Sequence, residues 1–238
     1  MFSDADNKFM KMAINEAKKG LGFTNPNPMV GAVIVKDGKV ISKGYHHACG
    51  MLHAERDALA NVKSNAITEN STIYVTLEPC CHYGKTPPCT EAIIDANISR
   101  VVCAMTDPNP KVSGKGIEIL RNNGIDVEVG LLEDEARKLN TFFLTRQTKK
   151  RPFVALKIAQ TLDGKTASQS GKSQWITGEK ARNHGHFLRH KYMGILAGIN
   201  TVLADDPMLN CRFDESLSDN TNPEYEILKN DVSKPALR

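Results

Sequence analysis

From Asp6 to Lys18 the apolar residues Phe9, Ala13, Ile14 and Ala17 recur at helical spacing, and Gly20 stands where such a helix would end. The run "MVGAVIVKDGKVISKGY" changes to the period of a strand. Two β-branched stretches flank Asp37-Gly38, the pair that suits a type I′ turn, so it predicts a hairpin. "HAERDALANVK" then reads helical and "STIYVTL" as a strand. Thr86 before Pro87 resembles an N-cap with proline at the first helical position, leading into a helix through "CTEAIIDA". "RVVCAM" predicts a strand, "GKGIEILRNNG" a helix, "IDVEVG" a strand and "EDEARKLNTFFLT" one more helix. Strands alternating with helices imply an α/β sandwich on a largely parallel or mixed sheet.

Around "RQTKKRP", residues 146–152, the composition turns basic and polar, which places a domain boundary there. "FVALKIAQTLDG" opens a second block as a buried-looking strand, "GEKARNHGHFLRHKY" follows as a helix, and "MGILAG" as another strand. Between Asp214 and Asp231 there are six acidic residues, one lysine and no sustained periodicity, the pattern of a mobile tail over 213–238.

Composition narrows the function classes. The 238 residues carry 31 basic and 27 acidic side chains, a mild and interspersed net +4. No basic run argues for nucleic acid, while a local pocket for an anionic small molecule fits. The start "MFSDADNKFMKMA" has no apolar core of a secretory signal, and no stretch approaches a membrane span, so the expectation is a cytoplasmic protein without a membrane partner. Six cysteines in that compartment point to metal or catalysis before disulfides.

The loop "TLEPCCHYGKTPPC" supplies the chemistry. Cys80 and Cys89 offer two thiolates and His53, in "LHAER", an imidazole, the three protein ligands of a catalytic zinc site whose fourth position stays open. Glu55, two residues after His53, can reach a water at that position and carry protons without being a ligand. His-x-Glu followed by Pro-Cys and a second cysteine is the signature of zinc-dependent deaminases. The departure is the spacer of eight residues between Cys80 and Cys89, where the common form has two. Cys81 is the competing ligand. Cys80 is favoured because it follows Pro79 directly, and Cys103 reads as core.

That long spacer, with "TNPNPMVGAVIV", "MTDPNPKVSGKGIEIL", "LKIAQTLDGKTA", "GKSQWITG" and "INTVLADDPMLNCR", resembles the bifunctional riboflavin-biosynthesis deaminase/reductases from about residue 8 to Arg212. The resemblance implies a cytidine-deaminase-like three-layer α/β/α domain over 1–146, followed by an incomplete dihydrofolate-reductase-like α/β domain over 151–212. It implies deamination of 2,5-diamino-6-(5-phosphoribosylamino)pyrimidin-4(3H)-one to the corresponding uracil. Asn27 and His46 would lie near the pyrimidine and ribose, with His82, Lys85 and Asp107 as further substrate contacts. Competing readings stand beside these: Asn27 and Asp107 also suit turns, and His46 or His47 could be a surface histidine.

For the second block the resemblance implies NADPH near Ala159, Trp175, Thr201 and Asp205, and substrate contacts at Ser173, Arg189, Leu209 and Arg212. No glycine-rich phosphate loop follows Gly198, so the reductase step is expected to be lost by truncation; either the chain is a fragment, or the uncovered edge is buried by the first domain or by another subunit of a homo-oligomer. The alternatives are a deaminase of another nucleobase or nucleoside, and a non-catalytic zinc-stabilised assembly module.

Overall fold

The computed structural model describes residues 2–63, 68–84, 86–110, 112–218 and 225, and it divides into two compact units, Met1–Phe153 and Val154–Arg238.

In the first unit helix α1 (Asp4–Lys18) opens on a capping box. Ser3 Oγ accepts from the Asp6 N–H, and the Asp6 carboxylate accepts from the Ser3 N–H. Strands β1 (Gly31–Lys36) and β2 (Lys39–Tyr45) form the expected hairpin. Asp37 and Gly38 both take positive φ, 51° and 72°, as a type I′ turn requires. Then come α2 (Ala54–Ala60), β3 (Thr72–Val75), α3 (Cys89–Asp95), β4 (Arg100–Cys103), α4 (Lys115–Asn122), β5 (Asp126–Val129), α5 (Glu133–Leu139) and α6 (Thr141–Lys149). The sheet order is β2-β1-β3-β4-β5. β1 is antiparallel to both neighbours and β3, β4 and β5 run parallel, so the sheet is mixed.

Alternation along each strand sorts the core into two layers. Ala32, Ile34, Ile73, Val75, Val101 and Cys103 face Ala54 and Ala58 of α2, Ile93 of α3 and Leu120 of α4. Val33, Val35, Tyr74 and Val102 face Phe9, Met10 and Ala13 of α1 and Ala136 of α5. Helices therefore cover both faces, the three-layer α/β/α sandwich the sequence predicts. Gly44 lets α2 approach closely, because a Cβ there would stand 2.2 Å from the Ala58 nitrogen.

Three local expectations need correction. Thr86 does not cap α3, which starts at Cys89 behind Pro88. Pro87 precedes a second proline, whose ring disfavours helical geometry in the residue before it. The predicted helix from Glu133 is broken at Asn140, whose buried side chain turns aside to bond the Met29 main chain in both directions. In the second unit neither "FVALKIAQTLDG" nor "MGILAG" forms a strand among the described residues, and the second keeps only an isolated bridge at Gly194. Val154, Leu156, Leu162 and Leu196 are exposed there.

The second unit holds α7 (Glu179–Lys191), α8 (Ile199–Asp205) and a short 3-10 turn, Glu215–Leu217. Phe187 of α7 is its buried centre, with Phe213 and Tyr225 packed on it, and Asn183 exchanges two hydrogen bonds with the Asp214 main chain. Of the tail from residue 213, residues 219–224 and 226–238 lie outside the described residues. No helix among the described residues is long and apolar enough to cross a membrane.

Candidate active site

The first unit carries a cavity of about 420 Å³ at the ends of β3 and β4, within the size range of small-molecule sites. His53, Glu55, Cys80, Asn27, His46, His82 and Asp107 all line it. Parallel strands direct their outgoing loops to this edge. Cys80 leaves β3, Asp107 leaves β4, His53 stands at the N-cap of α2 and Cys89 at the first position of α3.

His53 Nδ1 lies 3.4 Å from Cys80 Sγ and 3.5 Å from Cys89 Sγ, and all three donor atoms fall within 4.8 Å of one another. A tetrahedral zinc with bonds of about 2.0–2.3 Å spaces its ligands at about 3.5 Å, so the set fits that ion and leaves a fourth position free. The Cys80 thiol is held well below its ordinary pKa, chiefly because Cys89 hydrogen-bonds to it, and Cys89 is held well above its own by the same bond and by burial. His53 is raised by its bond to Cys80. Such a cluster gives up protons as a dication enters. Cys81 is outside it.

Glu55 is 3% exposed, and burial followed by the charge of Cys80 lifts its carboxyl to about 7. That is the range in which a carboxyl both accepts and donates protons at neutral pH.

The structure separates the two adjacent histidines. His47 is half-buried and pairs with Asp57 at 3.2 Å, outside the cavity lining. His46 is buried and donates from Nδ1 to the Leu52 carbonyl at 2.8 Å. That bond sets the tautomer, so Nε2 accepts from Asn27 Nδ2 at 3.0 Å and the Asn27 carbonyl oxygen is the atom left for a ligand. Burial lowers the pKa of His46, in keeping with a neutral ring. Asp107 is both turn and cavity residue: Oδ1 accepts from Asn109 N–H at 2.8 Å, and burial raises the carboxyl to about 6. His82 Nδ1 is buried with no hydrogen-bond partner among the described residues. Lys85 lies outside the described residues.

Sequence reasoning passed over the groups that hold the loop. Arg56 donates to the Pro87 and Pro88 carbonyls at 3.1 and 2.7 Å, immediately before Cys89. Thr86 Oγ1 stands 3.4 Å from His53 Nε2. The long spacer is thus fastened from α2, beside the residues it must meet. Asn140 fixes Met29, two residues from Asn27, and Phe143, Arg146 and Gln147 of α6 line the cavity. The position of Arg56 next to Glu55 was the one signal available.

In the second unit Arg189 and Arg212 are brought together. Arg189 Nη1 contacts His186 Nδ1 at 3.4 Å and the Asn210 carbonyl at 3.1 Å, and the Arg212 N–H donates to the same His186 nitrogen at 3.0 Å. Leu209 is half-buried in the same segment, with φ of 51°. Ser173, Thr201 and Asp205 are exposed, as is Trp175, over which Arg182 stacks at 4.3 Å. Ala159 is half-buried.

Residues 3–105 match the cytidine and deoxycytidylate deaminase zinc-binding region, and residues 152–232 match the RibD C-terminal domain. The riboflavin biosynthesis protein RibD of Aquifex aeolicus is 53% identical over 213 residues, covering 90% of this chain and 59% of that protein. A diaminohydroxyphosphoribosylaminopyrimidine deaminase/5-amino-6-(5-phosphoribosylamino)uracil reductase from Thermotoga maritima superposes with a TM-score of 0.83 at 53% identity, over 89% of this chain and 60% of that one. RibD of Acinetobacter baumannii does so with a TM-score of 0.83 at 44% identity, over 95% and 67%. The chain spans about 60% of the length of the curated relatives it matches. With the donor cluster, the buried Glu55 and both halves of the chain matched in order, the chain belongs to the RibD family of riboflavin biosynthesis proteins.

Proposed function

We propose that the first unit, as a deaminase domain over residues 1–146, hydrolyses the amino group of 2,5-diamino-6-(5-phosphoribosylamino)pyrimidin-4(3H)-one to give 5-amino-6-(5-phosphoribosylamino)uracil and ammonia. The observation that carries this reading is the convergence of His53, Cys80 and Cys89 beside buried Glu55 in one cavity. The three donors would hold zinc, which when bound lowers the pKa of water to about 7. Glu55 takes the first proton of the attacking water on a carboxylate oxygen and passes it to the ring nitrogen, then takes the second proton from the hydroxyl now on the ring carbon and delivers it to the departing amine, which leaves as ammonia. Asn27, oriented by His46, clamps the ring through its carbonyl oxygen, and His82 and Asp107 complete the contacts around the ring and sugar. Lys85, in the same loop, is the proposed partner of the phosphate. Metal analysis combined with ammonia release over a panel of aminopyrimidines tests this. Zinc at one per chain with turnover of the phosphorylated diaminopyrimidine supports it, and turnover of cytidine or guanine instead would replace it.

For the second unit we assign NADPH, where the reductase site is completed, to Ala159, Trp175, Thr201 and Asp205, and the sugar phosphate to Ser173, Arg189, Leu209 and Arg212, within a reductase-type segment over 151–212. The support is the match of residues 152–232 and the approach of the two arginines about His186. Titrating NADPH and following its fluorescence and oxidation separates a working cofactor unit from the loss of that step expected from the sequence.

A further inference from the structure

Glu78 is 3% exposed, yet its carboxylate faces four main-chain N–H groups. Oε2 accepts from Asp107 at 3.1 Å and Gly114 at 2.9 Å, and Oε1 accepts from Gly116 at 3.0 Å and Ile117 at 3.3 Å. The first turn of α4 has donors that its own backbone cannot satisfy, and its N-cap, Gly114, has no side chain to meet them. The cap therefore comes from another segment of the chain, and it arrives with a charge suited to a helix N-terminus. The contact is close on the other side too: a Cβ on Gly116 would lie 2.2 Å from the Pro79 carbonyl oxygen.

We infer that Glu78 is a positioning residue that locks the metal-ligand loop and the substrate loop to one another through α4. On one side it precedes Pro79 and Cys80 along the chain. On the other it fixes the main chain of Asp107. Its own N–H donates to the Met105 carbonyl at 3.0 Å, joining the exits of β3 and β4 a second time. Displacing the carboxylate thus moves a zinc ligand and a substrate contact together. The inference rests on the deaminase reading above for what those two loops hold.

The chemistry of the side chain gives a discriminating test. Glutamine fills the same space but turns an N–H₂ donor toward N–H donors. Aspartate is shorter but keeps two accepting oxygens. An acceptor role therefore ranks Glu78→Asp above Glu78→Gln, whereas a space-filling role ranks them in reverse. The zinc-loaded full chain is challenged with a chelator, its cobalt-substituted form is followed by visible spectroscopy, and KM is measured for the phosphorylated diaminopyrimidine. Glu78→Gln is expected to hold metal about 10- to 100-fold more weakly, with a changed cobalt spectrum and a raised KM. Glu78→Asp should fall between it and the wild type. Should Glu78→Gln not fold, Gly116→Ala, whose Cβ would press on the Pro79 carbonyl and stand 3.2 Å from Glu78 Oε1, is expected to show the same weakened hold.

Wild-type metal retention and KM in the folded glutamine variant, or in Gly116→Ala if that is the variant read, overturn the inference. So does glutamine outperforming aspartate. A wild-type chain that retains no zinc fails at the earlier step, the deaminase reading itself, and the inference goes with it.

Discussion

In the first unit Val33, Ile34 and Val101 are wholly buried, whereas in the second Val154, Leu156 and Leu162 are 74%, 84% and 110% exposed. Both sets come from runs rich in β-branched and aliphatic residues. Gly31–Lys36 has a strand on each side and a helical layer on each face. Residues 153–162 pair with no strand among the described residues. The difference shows that a strand is a property of its neighbours. A helix satisfies its backbone within itself, which is why α7 forms in the second unit while the runs on either side of it build no strand among the described residues. The same difference separates the sites. Precise ligand geometry stands on strand ends held from both faces, and the two arginines of the second unit stand on a helix and an irregular segment.

The largest expected effect tests whether the chemistry resides in the first unit alone. Glu55→Gln should keep fold and zinc but lower ammonia release by about 100- to 10,000-fold or more, as loss of a proton-transferring group does. Residual wild-type turnover with zinc bound would hand the proton to another residue. Next, a matched pair of truncations addresses the cores directly. Ile73→Ala should cost about 2–5 kcal/mol in denaturant unfolding, as an emptied, fully buried site does. Leu156→Ala should stay within about 0.5 kcal/mol, as exposed substitutions do. An equal cost for both would mean that Leu156 is covered in solution.

Arg56→Lys should have a smaller, local effect. A lysine ammonium does not reproduce the two-carbonyl fork at Pro87 and Pro88, so zinc retention should weaken by about tenfold with stability little changed. Chelator competition reads it.

The smallest effect concerns acid. Arg100, with help from Tyr74 and Ser3, holds the Asp6 carboxyl well below its ordinary value of 3.8. The folded state then binds fewer protons than the unfolded state as the pH falls below that value. This contribution is fully present above it and is lost on descent toward the folded pKa. Asp6→Asn should flatten the acid limb of the stability profile and leave the zinc-site spectrum unchanged. A limb as steep as the wild type's would mean that other carboxylates govern it.

The loop at 76–89 shows how far the residues alone reached. His53, Glu55, Cys80 and Cys89 stood out because soft ligands and a carboxylate at those offsets have few other uses, and the structure does bring them together. The preference for Cys80 over Cys81 followed from one proline, and it is the Cys80 sulfur that lies within 4.8 Å of the His53 and Cys89 donors. Glu78 carried no signal, since nothing local distinguishes an acid that caps a remote helix from one that faces water, and Arg56 offered only its place beside Glu55. The break at Asn140 was equally silent, because the Met29 main chain it binds is 111 residues away in sequence.

By itself the sequence determined the period of each element in the first unit, the turn at Asp37-Gly38 and the donor set of the site. Each depends on side chains within a few residues of one another. The tertiary structure decided which runs become strands, where α3 begins, which histidine enters the cavity, and how an eight-residue spacer is held in register with α2. Those outcomes depend on hydrogen-bond partners that arrive from distant parts of the chain, and a buried donor or acceptor must find one wherever it lies.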